Sequence, residues 1–292
     1  MFLVLRLAGP PRAKAPFVPP ARISCRRRLL KPVVLVTGGS RGIGAATAWL
    51  AAQQGWAVAV NYTQDAAAAQ AVVARIQAAG GLALSVQADV GNEAQVLAMF
   101  AHIDQALPAW GARWAGLVNS AGVVDQAQRV EAMSVQRLER MMRTNVIGSI
   151  VCAREAIRRM STQHGGQGGT IVNLSSVAAR LGGAGQYVDY AASKGAIESF
   201  TIGLARELAA DGIRVNAVNP GVVVTELHRA SGMDDAAYAA FLERSQQTHP
   251  MGRVGQPDEV AEAIVWLLSD ATGWITGATL PIDGGRHLTC AR

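Results

Sequence analysis

Tyr190 and Lys194 stand four residues apart in the run Asp189-Tyr190-Ala191-Ala192-Ser193-Lys194-Gly195. On a helix that spacing brings a phenol and an ammonium to one face. A cation held there favours phenolate, lowering the tyrosine pKa from its free value of about 10 and making a group that can both give and take a proton. Composition sets the lysine apart. The chain has three lysines against 24 arginines, and Lys194 is the only lysine between Pro32 and Arg292, so an exchangeable surface cation here would be expected to be another arginine. An ordinary solvated helix pair has the same spacing, and the surrounding residues must decide between the two readings.

From Pro32 onward strands alternate with helices. Val33-Val34-Leu35-Val36-Thr37 is a short apolar, β-branched run that stops at glycines, and Ile43 to Gln54 continues with helical spacing. The strand signal returns at Ala57 to Asn61, Leu82 to Val86, Gly116 to Asn119, Thr170 to Leu174, Ile213 to Val218 and Ala278 to Ile282. Continuous apolar strands are buried on both faces, so the expected fold class is α/β, a seven-stranded parallel sheet covered by helices and wound in one domain. No linker is visible between Pro32 and His287, and there is no internal repeat.

Thr37-Gly38-Gly39-Ser40-Arg41-Gly42-Ile43-Gly44 falls where the first strand turns into the first helix. Open α/β sheets bind ligands there, beyond the carboxyl ends of their strands. Glycines spaced Gly-x-x-x-Gly-x-Gly allow a tight turn and close backbone approach to a pyrophosphate at a helix N-terminus. An acidic residue ending the second strand would bind an adenosine 2′-hydroxyl and repel a 2′-phosphate. The chain has Asn61-Tyr62-Thr63 there, with Asp65 beyond, while Arg41 offers a cation. Both features favour NADP over NAD, although no second arginine stands at position 63. Asp89, in Ala88-Asp89-Val90, is placed either to bond the adenine or to cap the next helix.

Together these motifs resemble the short-chain dehydrogenase/reductase family, over nearly everything from Pro32 to Arg286. Thr37 to Gly44 resembles its glycine motif, and Tyr190-x-x-x-Lys194 its active-site pair. Asn119-Ser120-Ala121-Gly122 resembles its Asn-Asn-Ala-Gly motif, with Ser120 in place of the second asparagine. Pro220-Gly221 resembles the segment beside the nicotinamide, and Ile282-Asp283-Gly284-Gly285 the common ending. The resemblance implies a doubly wound Rossmann domain over 32–287 and a tetrad of Asn145, Ser176, Tyr190 and Lys194. In that tetrad Asn145 holds a relay water, Ser176 (with Ser175 as competitor) bonds the substrate oxygen, and Tyr190 is the general acid/base. Lys194 lowers the tyrosine pKa and bonds the nicotinamide ribose. Cofactor contacts are implied for Gly38, Ser40, Arg41, Gly42, Ile43, Gly44, Asn61, Asp89, Val90, Asn119, Ala121, Gly122, Tyr190, Lys194, Pro220, Gly221, Val223 and Thr225, and no metal. The Ser176-to-Tyr190 interval is one residue longer than the common family spacing, which implies a small bulge or longer turn. Tyr187 is expected to be a wall of the pocket.

The resemblance implies hydride transfer between a nicotinamide cofactor and a carbonyl or secondary alcohol. The run Tyr-Val-Asp-Tyr-Ala-Ala-Ser-Lys is most similar to general sugar or ketone reductases. A 3-oxoacyl-thioester reductase is the alternative within enzymes, and a nucleotide-sensing protein without turnover the alternative outside them. Thr225 to Arg253, with Met233, Tyr238, Phe241, Leu242 and Met251, is the expected lid. Helices over Glu131 to Met160 and Tyr190 to Ala210 match those that form homodimers or homotetramers in the family, although Ile197, Phe200, Thr201 and Leu204 suit an internal core equally.

Charge is concentrated at one end. Residues 1–31 hold eight basic and no acidic residues; the rest of the chain has 19 basic against 21 acidic, so the net +6 is no argument for nucleic acid as a partner. Five prolines in that segment deny it a continuous helix, and it is expected to be a disordered extension, with 288–292 as a C-terminal tail. No apolar run reaches the roughly 20 residues of a membrane span. Cys25, Cys152 and Cys290 lack disulfide or zinc spacing, which fits a reducing cytoplasm.

Overall fold

The computed structural model describes residues 30–227, 229 and 232–289. Most of segment 1–31 therefore lies outside the described residues, as do Cys25 and Cys290, while Lys31 itself opens the first strand. In that strand, β1 (Lys31–Thr37), Val33 and Leu35 face one core and Val34 and Val36 the other, all four fully buried. A strand with two apolar faces needs cover on both sides.

β1 lies within a seven-stranded sheet, with β2 (Ala57–Tyr62), β3 (Ala83–Gln87), β4 (Ala112–Asn119), β5 (Gly169–Leu174), β6 (Ile213–Pro220) and β7 (Thr279–Ile282). The order is β3-β2-β1-β4-β5-β6-β7, every pair parallel. On one face pack α3 (Glu93–Trp110), α5 (Ser149–Met160) and α7 (Val188–Leu208), through Phe100 and Ile103, Cys152 and Ala156, and Leu204 and Leu208. The other face takes α1 (Gly42–Gln53), α2 (Ala66–Ala78) and α9 (Pro257–Leu268), through Ala48, Ile76 and Ile264. Removing each large apolar side chain from water contributes about 1.5–3 kcal/mol, and the helices supply that cover. Shorter helices α4 (Val135–Met142), α6 (Ala178–Leu181) and α8 (Asp235–Gln246) lie between the larger ones in sequence.

Two elements differ from the sequence reading. β4 begins at Ala112 because α3 stops at Gly111, a left-handed residue (φ 56°), and Trp114 then enters the core to stack on Phe100 at 5.1 Å. The single helix expected over Glu131 to Met160 is a 3-10 turn (Val130–Ala132), α4, a π-helical turn (Arg143–Gly148) and α5. The π turn brings Gly148 against the loop after β3, where a Cβ would stand 2.8 Å from Val90. π turns of this kind often serve a functional position, and this one carries Asn145.

Strands run outward from β1 in both directions, so the chain's route reverses between β1 and β4. A crevice opens at that reversal, beyond the strand ends.

Candidate active site

A cavity of about 680 Å³ occupies this crevice. It is lined from the turn after β2 (Tyr62, Thr63, Gln64, Asp65), across the glycine loop, to Pro220, Gly221, Val223, Thr225 and Arg286. Thr37 joins the two strands at its floor: its Oγ1 accepts the Ser120 and Ala121 N–H groups at 3.0 and 3.1 Å. The glycines are required by contact. A Cβ on Gly44 would meet the Gly38 carbonyl oxygen at 2.2 Å, and one on Gly38 (φ +60°) would meet Ala121 Cα at 2.9 Å. Asp65, Asn92, Ser134 and Asp234 cap α2, α3, α4 and α8 with their side chains, whereas Arg41 gives α1 no such cap. The first N–H groups of α1 lack intrahelical partners, and Gly42, Ile43 and Gly44 line the cavity, as do Gly38, Ser40 and Arg41. Such a terminus attracts phosphate.

The remaining residues expected at a nucleotide divide into two groups. Asp89, Val90, Ala121 and Gly122 line the cavity. Asp89 is not the cap of α3, which is Asn92; its carboxylate accepts the Gly91 N–H at 2.9 Å. Asn61 and Asn119 are buried behind the cavity wall. Asn61 Oδ1 accepts the Gly38 N–H at 3.2 Å and its amide donates to Ala88 O at 3.0 Å, so it holds the glycine loop from beneath. Asn119 donates to Ser149 O and Asn173 Oδ1, bracing β4 against β5 and α5. Asp65 lines the cavity, but its carboxylate accepts the Ala68 N–H as the α2 cap.

Ser176, Tyr190 and Lys194 meet on the cavity wall. The two serines have different tasks. Ser175 Oγ donates to Lys194 O at 3.0 Å and fixes α7, whereas Ser176 hydrogen-bonds the Tyr190 side chain. The longer Ser176-to-Tyr190 interval is taken up by α6 and a turn with Gly182, Gly183 and Gly185 at positive φ. Tyr187, at the end of that turn, lines the cavity. Lys194 Nζ donates to Leu174 O at 2.7 Å and lies 5.6 Å from the Tyr190 ring centroid. Asn145 exchanges hydrogen bonds with both backbone groups of Val123 and donates to Ser193 Oγ. A Cβ at Gly122 would be 3.4 Å from Asn145 Oδ1 and 3.7 Å from Lys194 Nζ, so the glycine leaves a gap between the amide and the ammonium.

The electrostatics correct one expectation. Burial pushes the Tyr190 phenol up to about 12, with the Ser176 hydrogen bond opposing, and pushes Lys194 down to about 8. Lowering of the tyrosine by the lysine does not prevail, because desolvation, of the buried lysine and of the partly exposed tyrosine packed against the cavity wall, outweighs their attraction. Tyr190 is a neutral phenol at neutral pH, and Lys194 carries its charge only below about pH 8.

Several supporting residues carry no local sequence signal. Arg137 on α4 forms a buried pair with Asp189, the residue before Tyr190, through Nε at 2.7 Å and Nη2 at 3.1 Å, with side-chain exposures of 9% and 2%. His249 accepts the Val222 N–H on Nε2, and its Nδ1 lies 2.6 Å from Ser245 O, steadying the segment after Pro220-Gly221. In the expected lid, Tyr238 is turned away to the Thr225 backbone and Met251 points into solvent, while Leu227 and Phe241 line the cavity. Removing one member of a buried ion pair leaves the other charge uncompensated, at a cost of about 3–5 kcal/mol. Arg137→Met should lose about that much in denaturant unfolding; a loss below about 1 kcal/mol would show that the pair does not anchor α7.

The family model described as Enoyl-(Acyl carrier protein) reductase matches residues 38–287. The chain is 51% identical over 254 residues to the uncharacterized oxidoreductase YgfF of Escherichia coli, covering 87% of this chain and 99% of that protein. It is 37% identical over 265 residues to a 3-oxoacyl-[acyl-carrier-protein] reductase of Synechocystis, covering 88% and 97%. The solved structure of the promiscuous reductase LugOII, which catalyses keto-reduction during lugdunomycin biosynthesis, superposes with a TM-score of 0.80 at 34% identity, covering 89% and 99%.

Proposed function

The chain belongs to the short-chain dehydrogenase/reductase family of oxidoreductases, and from that premise we propose that it is an NADP-preferring reductase of ketones, with Tyr190 as the proton donor. The observation that carries this reading is the meeting of Ser176, Tyr190 and Lys194 in the cavity that begins at the uncapped N-terminus of α1. The glycine cradle and the open α1 terminus fit a dinucleotide pyrophosphate. A bound nicotinamide cofactor supplies the hydride.

Ser176 and Tyr190 offer two hydroxyls to the substrate carbonyl oxygen, and Tyr190 gives that oxygen its proton. A phenol held neutral by burial suits this direction, since reduction begins with the proton on the tyrosine. Lys194, as ammonium, offsets the charge left on the tyrosine oxygen. The gap beside Gly122, flanked by Asn145 and Lys194, is the place for a relay water that restores the proton. The names of the Synechocystis relative and of LugOII support carbonyl reduction as the reaction type. With purified protein, NADPH oxidation on addition of ketones tests the assignment; a binding protein would hold the cofactor with no turnover.

For the cofactor, the exposed Arg41 lines the cavity with Tyr62 and Thr63, and the nearby Asp65 carboxylate is committed to a helix cap. Arg41→Ser should lower the ratio of kcat/KM with NADPH to that with NADH by at least about tenfold, the loss of one charge-assisted hydrogen bond. A wild-type preference for NADH above about tenfold would reject the NADP assignment.

We assign self-association, as a homodimer or homotetramer, to the face carrying Leu138, Met142, Ile147, Ile150 and Ile202, which are exposed on the isolated chain. Ile197, Thr201 and Leu204, weighed for this role in the sequence, are buried within the chain. A cytoplasmic setting suits the buried, free Cys152, and no described helix is long and apolar enough to cross a membrane.

A further inference from the structure

The cavity wall holds two more cations outside the proton-transfer and nucleotide groups: Arg140, which pairs with Asp125, and Arg286. The chain leaves β7 through Asp283-Gly284-Gly285, and the next side chain, Arg286, lines the same cavity as Ser176 and Tyr190. It is half-buried, and its Nη1 is buried with no hydrogen-bond partner. A guanidinium nitrogen held out of water without a partner is unfavourable unless an acceptor comes to meet it. No ion pair involves Arg286 among the described residues.

Asp283 favours the arginine's charge through space, with no hydrogen bond between them, and the neighbouring carboxylates have other hydrogen-bond or ion-pair partners. Asp283 accepts the Gly285 and His287 N–H groups at 3.0 and 2.8 Å and pairs with His287 Nδ1 at 2.8 Å. Asp125 pairs with Arg140, Asp89 accepts the Gly91 N–H, and Asp65 caps α2. Glu226, the remaining acid on the wall, is exposed. Burial lowers the pKa of His249, which packs near this end, and the arginine's charge adds to that lowering. Position decides what the arginine can meet. The pyrophosphate loop follows β1 and the ribose end follows β2, whereas Arg286 follows β7, at the opposite edge of the sheet. An anion reaching it belongs to the substrate.

We propose that Arg286 recognises an anionic group, carboxylate or phosphate, on the substrate, so that charged oxo compounds are reduced in preference to neutral ketones of the same skeleton; this rests on the reductase reading above. A guanidinium presents parallel donors that match either group.

The test uses matched pairs at saturating NADPH: acetoacetate against its methyl ester, and dihydroxyacetone phosphate against dihydroxyacetone. In the wild type, the charged member of at least one pair should have a kcat/KM at least about tenfold higher, through KM, and the pair that shows this distinguishes carboxylate from phosphate. Arg286→Gln should lower that ratio at least about tenfold and Arg286→Lys should keep most of it. Equal or poorer use of both charged members by the wild type, or a preference that survives in Arg286→Gln, overturns the assignment. If neither member of either pair turns over, calorimetric titration of acetoacetate and dihydroxyacetone phosphate decides the inference, and the reductase reading is tested separately with a wider panel of ketones and alcohols. Binding to wild type that Arg286→Gln weakens at least about tenfold upholds it; binding that is absent or equal in the two overturns it. Should Arg286→Gln not fold, the wild-type ratio decides.

Discussion

Tyr190→Phe is expected to lower kcat for ketone reduction by about a thousandfold, within the usual range for loss of a general acid. KM for NADPH should change little. The variant keeps the half-buried ring that packs beside Lys194 and removes only the hydroxyl that bonds Ser176. Tyr187 provides the control because it lines the same cavity and is also held protonated, by burial. Its replacement with phenylalanine should cost far less than Tyr190→Phe. The reverse ranking would assign the proton to Tyr187.

Lys194→Arg keeps a positive charge, yet is expected to lower kcat by at least about a hundredfold, the scale of losing one placed electrostatic donor. The site is closed to a larger head: the lysine is 5% exposed and donates to Leu174 O at 2.7 Å. A planar guanidinium cannot take the position of a compact ammonium. The pH profile separates charge from shape. Burial has lowered the Lys194 pKa to about 8, so in the wild type kcat/KM for NADPH, which reports the free enzyme, should be level below about pH 8 and fall above it. In Lys194→Arg the residual activity should lose that alkaline decline, because arginine does not titrate there. The sign for stability is opposite. The native state gives up the lysine proton at about 8 and the unfolded state at 10.5, so this group's contribution improves as pH rises between those values. A wild-type profile level to pH 10 would contradict a lysine that discharges near 8.

The sheet and the phosphate loop were legible because their signals are local. Val33 to Thr37 followed by Gly38, Gly42 and Gly44 is a strand, a turn and a helix start in consecutive residues, and all seven strands read from the sequence belong to one parallel sheet. The Tyr190-to-Lys194 spacing was legible for the same reason. What the sequence left unread depends on contacts across the fold. The π turn at Asn145 leaves the helical apolar pattern almost intact, and its cause, Gly148 against Val90, lies 58 residues away in the chain. Asn61 has the right position at the end of a strand to meet a ribose, but the fold turns its amide beneath Gly38. Arg137 and Asp189 are 52 residues apart and unremarkable among many charged residues until α4 and α7 bring them together. Desolvation was the hardest to foresee. The spacing shows that a lysine stands near the tyrosine, but the sign of the resulting shift depends on how much water the fold excludes from both.

Cofactor oxidation by the purified wild-type protein tests the central claim most directly. NADPH absorbance should fall only when a ketone is present, with one equivalent of alcohol formed per NADPH consumed, and Tyr190→Phe should abolish nearly all of it. Tight NADPH binding without turnover of any ketone, or of any alcohol in the reverse direction with NADP, would contradict the account.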